Sequence, residues 1–386
     1  MPHFTLIDPH AADTHQKWSV RMADSVLARH PVTSARWHYE HGLMLRALEG
    51  VWRDTGDDRT WRYVQEVIDS FVDATGCIRS YVMTDFNLDQ INPGRSLFAL
   101  VRETGDARYE RAIRRLREQL TWQPRTREGA FWHKLIYPHQ IWLDGVYMAG
   151  PFLAEYAATF DEPEAFDEVT REIVLVEQHL RDRDTGLFYH GWDESRLQRW
   201  ANPDTGCSPH FWGRAIGWYA MAIVDVLDYL PAAHRSRNHI IAILGDLVAA
   251  VACVQDAVSG VWFQVLDQGE RSGNYLESSA SCMFVYAIAK GVRRGYLDAG
   301  WLDIARRGYA GILRHFVVVD AQGGVNLTHV CSVGGLGGNP YRDGSFEYYI
   351  GEKIVTNDYK GVGSFILASV EIESRSSQSV AGPRVV

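Results

Sequence analysis

The sequence predicts an all-α chain of twelve helices wound as an (α/α)6 barrel, six inside and six outside. Three observations predict it. Thr55-Gly56-Asp57 separates two apolar helical runs, and forty-nine residues on Thr104-Gly105-Asp106 does the same; a period of that size marks a stacked two-helix unit. The helices alternate between two kinds, amphipathic and apolar nearly all round. Glycines at 76, 129, 186, 260 and 324 each follow a helix and open a loop.

The elements follow in order. Tyr109, Ala112, Ile113, Leu116 and Leu120 recur at helical spacing, with arginines and Glu110 on the remaining faces. Trp301, Ile304, Ala305, Tyr309, Ile312 and Phe316 repeat the pattern. Such helices turn one stripe inward and the rest to solvent. The segments from Trp212 to Leu230 and from Leu276 to Val292 lack a polar face and must be buried. Outer helices are expected to begin near Asp13, Asp58, Ala107, Pro163, Ala233 and Leu302. Inner ones begin near Ala35, Gly94, Asp144, Phe211, Leu276 and Gly361. One closed toroid over residues 1–373 overrides the two or three domains that a length of 386 residues implies. The stretch 374–386, opening Ser-Arg-Ser-Ser-Gln-Ser, reads as a disordered tail.

In such a barrel the long loops from outer to inner helices gather at one mouth. Here they run from Gly76 to Pro93, Gly129 to Trp142, Gly186 to Phe211, Gly260 to Tyr275 and Gly324 to Lys360, and they are rich in aromatics. Function concentrates on loops held by a rigid scaffold, so the site is expected there.

Composition narrows what the site binds. Hydrophobic residues make 46% of the chain, enough for a large core, and aromatics 12%, with 13 Trp. Most of these are structural, but the Trp surplus is also a hint of stacking on sugar rings. A net charge of −9 argues against a nucleic-acid surface, which needs clustered cations; a small anion met by a few local cations remains compatible. The five cysteines are widely spaced, with no C-x-x-C pair, and read as reduced thiols. Neither a signal peptide at Met1-Pro2-His3 nor a membrane-length apolar run is read, so the expected compartment is the cytoplasm.

Three constellations could carry chemistry. Asn87-Leu88-Asp89-Gln90 stands before the second inner helix, and a helix cap accounts for it as well as a functional carboxylate does. Trp142-Leu143-Asp144-Gly145-Val146-Tyr147-Met148 sets a carboxyl among apolar groups, which raises its proton affinity as a general acid requires. A cap is again the plain alternative, although Gly145 is a weak helix start and favours a close approach. Phe211-Trp212-Gly213-Arg214, with Trp218 one turn on, puts a cation beside aromatic platforms and suits a planar carboxylate. Its alternative is a buried arginine paired with a core acid such as Asp225 or Glu194. The run Gly334-Gly335-Leu336-Gly337-Gly338 lacks phosphate-loop spacing and gives backbone room at the mouth. His133 and His139 are too far apart for a helical metal pair, so no metal or cofactor is expected.

Together these segments resemble glycoside hydrolase family 105, the unsaturated rhamnogalacturonyl hydrolases, and more distantly the unsaturated glucuronyl hydrolases. The resemblance runs from Trp37 to Leu367. It is carried by Trp37-His38-Tyr39-Glu40-His41-Gly42, Phe86-Asn87-Leu88-Asp89, Gln123-Pro124-Arg125-Thr126 and Phe131-Trp132-His133-Lys134. It continues in Trp142 to Met148, Tyr189-His190-Gly191-Trp192-Asp193, Phe211 to Arg214 and Gly335 to Gly338. The resemblance implies the (α/α)6 fold and hydration of a C4=C5 unsaturated uronic acid at the non-reducing end of a small anionic oligosaccharide. It implies Asp144 as acid and base, with Asp89 as the second acidic residue. Tyr39, His133, Lys134, Trp142, Met148, His190, Trp212, Arg214 and Trp218 match substrate-contacting positions, with Lys134, His190 and Arg214 as cations near the uronate. Rhamnose is the expected neighbouring sugar. Sulfated rhamnose of ulvan type, an (α/α)6 epimerase or isomerase using histidines, and a non-catalytic sugar-binding barrel are the competing readings.

Overall fold

The computed structural model describes residues 16–380, with side chains through 374. Thirteen α-helices lie among the described residues. Twelve pair up as α1 (Trp18–Arg29) and α2 (Tyr39–Thr55), α3 (Asp58–Asp69) and α4 (Arg95–Thr104), α5 (Ala107–Trp122) and α6 (Leu143–Phe160), α7 (Glu164–Leu180) and α8 (Gly213–Leu227), α9 (Arg237–Cys253) and α10 (Ser278–Arg293), and α11 (Leu302–His315) and α13 (Tyr359–Val380). The short α12 (Phe346–Gly351) lies in the last connection.

Packing sorts the twelve into two rings. The inner one closes in the order α2, α4, α6, α8, α10, α13 and back to α2. Each outer helix lies on the inner helix before it, α3 on α2, α5 on α4 and so on, with α1 on α13. This is the (α/α)6 barrel that the helix pattern predicts. Every residue of α8 is buried, whereas α5 buries Tyr109, Ala112, Ile113, Leu116, Gln119 and Leu120 and turns its arginines outward. Eleven helices start within four residues of their expected positions. The first starts at Trp18; Asp13 lies outside the described residues. The α13 backbone is helical past Ser374, where the sequence reading starts a tail; residues 381–386 lie outside the described residues.

The repeated Thr-Gly-Asp triplet is the inner-to-outer junction. Gly56 and Gly105 take left-handed backbones, φ 74° and 69°, and end α2 and α4, a conformation that costs glycine least. Asp57 and Asp106 then accept the Arg59 and Arg108 backbone N–H at 3.0 and 2.9 Å and start the next helix. Short junctions at this end leave the long connections at the other. There β1 (Gln140–Trp142) pairs antiparallel with β2 (Gly191–Asp193), joining two mouth loops. Two more ribbons, β3 (Val317–Val319) with β4 (Val325–Leu327) and β5 (Val330–Cys331) with β6 (Ile354–Val355), brace the connection from α11 to α13. No helix among the described residues is long and apolar enough to cross a membrane.

Inside the ring, Asp225 of α8 receives Arg95 of α4 at 2.7 Å and Lys290 of α10 at 2.5 Å, and the Tyr286 hydroxyl donates to it at 2.7 Å. Burial alone would raise the Asp225 carboxyl, but Lys290 and Arg95 outweigh it and hold it well below the usual range. Removing one member of a buried pair leaves the others uncompensated. Asp225→Ala is therefore expected to destabilise the fold by about 3–5 kcal/mol, read as a lowered urea midpoint.

Candidate active site

The inner helices present their N-termini at the mouth, and the sequence-selected residues gather there. Asp144 is the second residue of α6, whose cap position is Trp142 with no side-chain cap. Its carboxylate therefore does not cap the helix. Oδ2 has no hydrogen-bond partner, and neither has His190 Nε2. The two atoms lie 3.1 Å apart, close but off the hydrogen-bond line. The β1–β2 ribbon sets this approach, since Leu143 N–H donates to the His190 carbonyl at 3.1 Å.

Asp89 is not a cap either; Asn87 plays that part, accepting from the Asp89 backbone N–H at 3.0 Å. Asp89 meets Lys134 Nζ at 2.5 Å, His38 Nε2 at 3.5 Å and His133 Nε2 at 3.7 Å. Its burial favours the neutral form, but Lys134 and His38 prevail and hold the carboxyl well below its ordinary range. Burial is also the main influence on His133, pushing it down to about 4 against the pull of Asp89. Both carboxylates act on His133 and on the half-buried Tyr39, so the two line one space.

Aromatic rings wall that space. His133 and Tyr137 both stack on Trp142, at centroid distances of 4.8 and 4.6 Å, and lie 6.4 Å from each other; Trp142 and His190 meet in a T-shaped contact at 5.3 Å. Trp212 lies 4.8 Å from His190. Tyr39 meets Trp218 edge-on at 6.0 Å. Trp218 and Met148 are both buried; Met148, one turn after Asp144, shares its helix face. The glycines fit this crowding: a Cβ on Gly145 would stand 3.1 Å from His133 Nδ1, and one on Gly334 2.4 Å from the Trp212 ring. Gly334 thus gives the backbone room expected of its run.

Arg214 does pair with a core acid, as the alternative reading has it, but the acid is neither Asp225 nor Glu194. It is buried and faces Glu277 at 3.5 Å, while Asp225 is taken by Arg95 and Lys290 and Glu194 accepts from the Arg127 backbone at 2.8 Å. Arg214 Nε donates to Ser279 at 2.9 Å and Nη2 to the Cys331 carbonyl. Nη1 is buried without a partner. Lys134 likewise directs its charge at Asp89. Sequence reasoning missed Glu277, Tyr349 and the Glu40–Lys360 pair at 2.7 Å. Glu40 falls inside a quoted motif, but nothing there tells its partner; Tyr349 sits in the longest connection, without periodicity.

The family model described as Glycosyl Hydrolase Family 88 matches residues 16–376. A solved family 105 glycoside hydrolase of C. acetobutylicum ATCC 824 superposes with a TM-score of 0.91 at 47% identity, covering 93% of this chain and 99% of that one. The chain belongs to glycoside hydrolase families 88 and 105. It is an enzyme of that class. Protein Atu3128 of Agrobacterium fabrum (strain C58 / ATCC 33970) is 40% identical over 58% of the chain and 97% of its own length. The unsaturated rhamnogalacturonyl hydrolase YesR of Bacillus subtilis (strain 168) is 29% identical over 52% of the chain and 57% of its own length.

The buried imidazole of this glycosidase has a measurable consequence. Folding lowers His133 to about 4, while an unfolded imidazole titrates near 6.5. The unfolded chain then binds more protons between those values, so stability falls as pH drops from about 6.5 toward 4. His133→Gln is expected to flatten that part of the profile, leaving the contribution of His41, also held near 4 by burial. Urea midpoints at neutral and mildly acid pH test this.

Proposed function

We propose that the enzyme removes a 4,5-unsaturated uronic acid from the non-reducing end of small lyase-generated oligosaccharides, with rhamnose as the neighbouring sugar. The observation that carries this is Asp144: a carboxylate at the mouth that caps nothing, has an unpartnered Oδ2, and faces no Lys or Arg within ion-pair distance among the described residues. The rhamnogalacturonan choice draws on the likeness to YesR.

The chemistry follows from the substrate. Its double bond, conjugated to the carboxylate, forms a vinyl ether with the ring oxygen. Asp144 protonates C4; positive charge develops at C5 and is shared with the ring oxygen; water adds at C5 and returns a proton to Asp144. The hemiketal opens and releases the neighbouring sugar. No second carboxylate need attack the anomeric carbon, unlike the usual glycosidase pair. Asp89, held ionised by Lys134 and His38, cannot be the proton donor and serves to orient sugar hydroxyls. Two carboxylates in opposed surroundings thus take different parts. Arg214 Nη1 is the donor left for the uronate, and the Trp142 and Trp212 rings supply stacking faces.

The test is the ultraviolet absorbance of the conjugated double bond, followed over lyase products of pectin backbone, ulvan-type and glycosaminoglycan polymers. Wild type is expected to abolish the absorbance, most rapidly with the rhamnogalacturonan disaccharide; persistence with every substrate would refute the reading. Asp144→Asn is expected to lower kcat by roughly 10²–10⁴. Full activity in that variant with loss in His190→Ala would point instead to a histidine-based epimerase.

A further inference from the structure

The mouth holds one buried phenol that the chemistry above leaves unused. Tyr349, on α12, is fully buried. Its ring stacks on Trp212 with centroids 5.6 Å apart and planes 15° from parallel. Its carbonyl accepts from Gln264 Nε2 at 3.0 Å, and the same Gln264 accepts from Trp212 Nε1 at 3.1 Å. Ring and backbone are thus both fixed. The hydroxyl lies 2.8 Å from His190 Nδ1, its only hydrogen-bond partner among the described residues.

That single contact sets the imidazole. A buried hydroxyl proton needs an acceptor, and with one neighbour it must donate there. Nδ1 is then the acceptor, so the ring carries its proton on Nε2. Nε2 is the atom 3.1 Å from Asp144 Oδ2, and neither of these atoms has a hydrogen-bond partner.

We propose that Tyr349 is a positioning residue: by donating to Nδ1 it holds His190 as the Nε2–H tautomer, whose N–H meets the negative charge formed on Asp144 when its proton leaves for C4. The inference rests on the hydrolase reading for its substrate. The proton passes from Asp144 to C4, the π pair becomes the C4–H bond, and the carboxylate is left behind; water at C5 later restores the proton. His190 and Tyr349 neither gain nor lose one. The Nε2 approach, off line in the free enzyme, tightens as charge develops, as such contacts do. An N–H already held beside Asp144 needs only a small realignment to meet the charge that develops there. The other groups acting on this pair are Tyr39 from α2 and His133 from the α5–α6 loop, each also under Asp89, with Arg214 of α8 acting on Tyr39.

Tyr349→Phe keeps the ring and its stack on Trp212 and removes only the hydroxyl. We expect kcat to fall ~10–100-fold with KM within about twofold. The alkaline limb of the pH–rate profile should move to higher pH, because the Asp144 carboxylate loses a fixed donor. A merely structural tyrosine would not move that limb, so unchanged kcat and limb overturn the proposal. Nitrogen-15 spectra of the imidazoles in the intact wild-type protein give an independent decision. His190 protonated on Nε2 supports the proposal; protonation on Nδ1 overturns it even if the variant fails to fold. This second measurement needs no substrate. Failure of the hydrolase reading would show separately, as wild type turning over no lyase product.

Discussion

Asp225 holds the barrel's interior together by gathering charge that no single helix could bury alone. Arg95, Lys290 and Tyr286 converge on it from α4 and α10, and Arg95 also donates to the Tyr147 hydroxyl of α6 at 3.2 Å. Four of the six inner helices are thereby tied at one point. Desolvated charges persist only when paired, so the pairing constrains how these helices can slide or turn. The ring then closes where side chains are smallest. A Cβ on Gly363 of α13 would stand 2.7 Å from Leu43 of α2, and one on Gly42 2.8 Å from the Pro93 backbone. A scaffold so constrained can carry long irregular connections at its mouth without losing their relative positions.

Those connections place two aspartates in opposite circumstances. Asp89 is surrounded by Lys134, His38 and His133, and its carboxylate form is favoured. Asp144 faces the His190 imidazole, itself packed on Trp142, with no lysine or arginine within ion-pair distance among the described residues. Side-chain identity is the same, and the difference comes entirely from the partners that β1, β2 and the 3-10 turn at Leu88–Gln90 deliver. The aromatic rings beside Asp144 surround it with apolar groups, which lowers the local dielectric and strengthens whatever electrostatic contacts remain.

How much of this was legible in the sequence varied with the physics involved. Helix number, alternation and starting points were legible because a buried helix and a half-buried one have different periodicities, as α8 and α5 show. The Thr-Gly-Asp triplets were legible because left-handed backbone and capping each need particular residues. Asp144 and Asp89 were visible as candidates, but whether they cap depends on a shift of one or two positions, which propensity does not resolve. Arg214 was visible as a cation, yet its partner Glu277 lies on the next inner helix's cap, sixty-three residues away. Tyr349 left no trace at all. Its role arises from a three-dimensional contact across 159 residues, and α12 is too short to show a pattern.

The charge of the chain bears on how an anion enters. Formal charge is −9, and two lysines of the mouth are already engaged: Lys134 by Asp89, Lys360 by Glu40 and Asp358. Neither of these two is a bare cation, and a net-negative chain gives an anion no overall long-range attraction. Under the proposed chemistry the uronate must instead be held locally, after desolvation. Arg214 suits that part, since Glu277 and the Cys331 carbonyl fix its guanidinium while leaving Nη1 without a partner in a buried position. A donor held this way costs little ordering on binding, because its rotamer is already set. It also favours a planar, singly charged group that can approach one edge. Lys134 retains N–H directions beyond the one aimed at Asp89, which fits hydroxyls better than a second anion. Under the proposed chemistry this arrangement would favour one carboxylate beside Arg214 and a largely uncharged ring above Asp144, with the protein's overall acidity working against ligands that carry many charges.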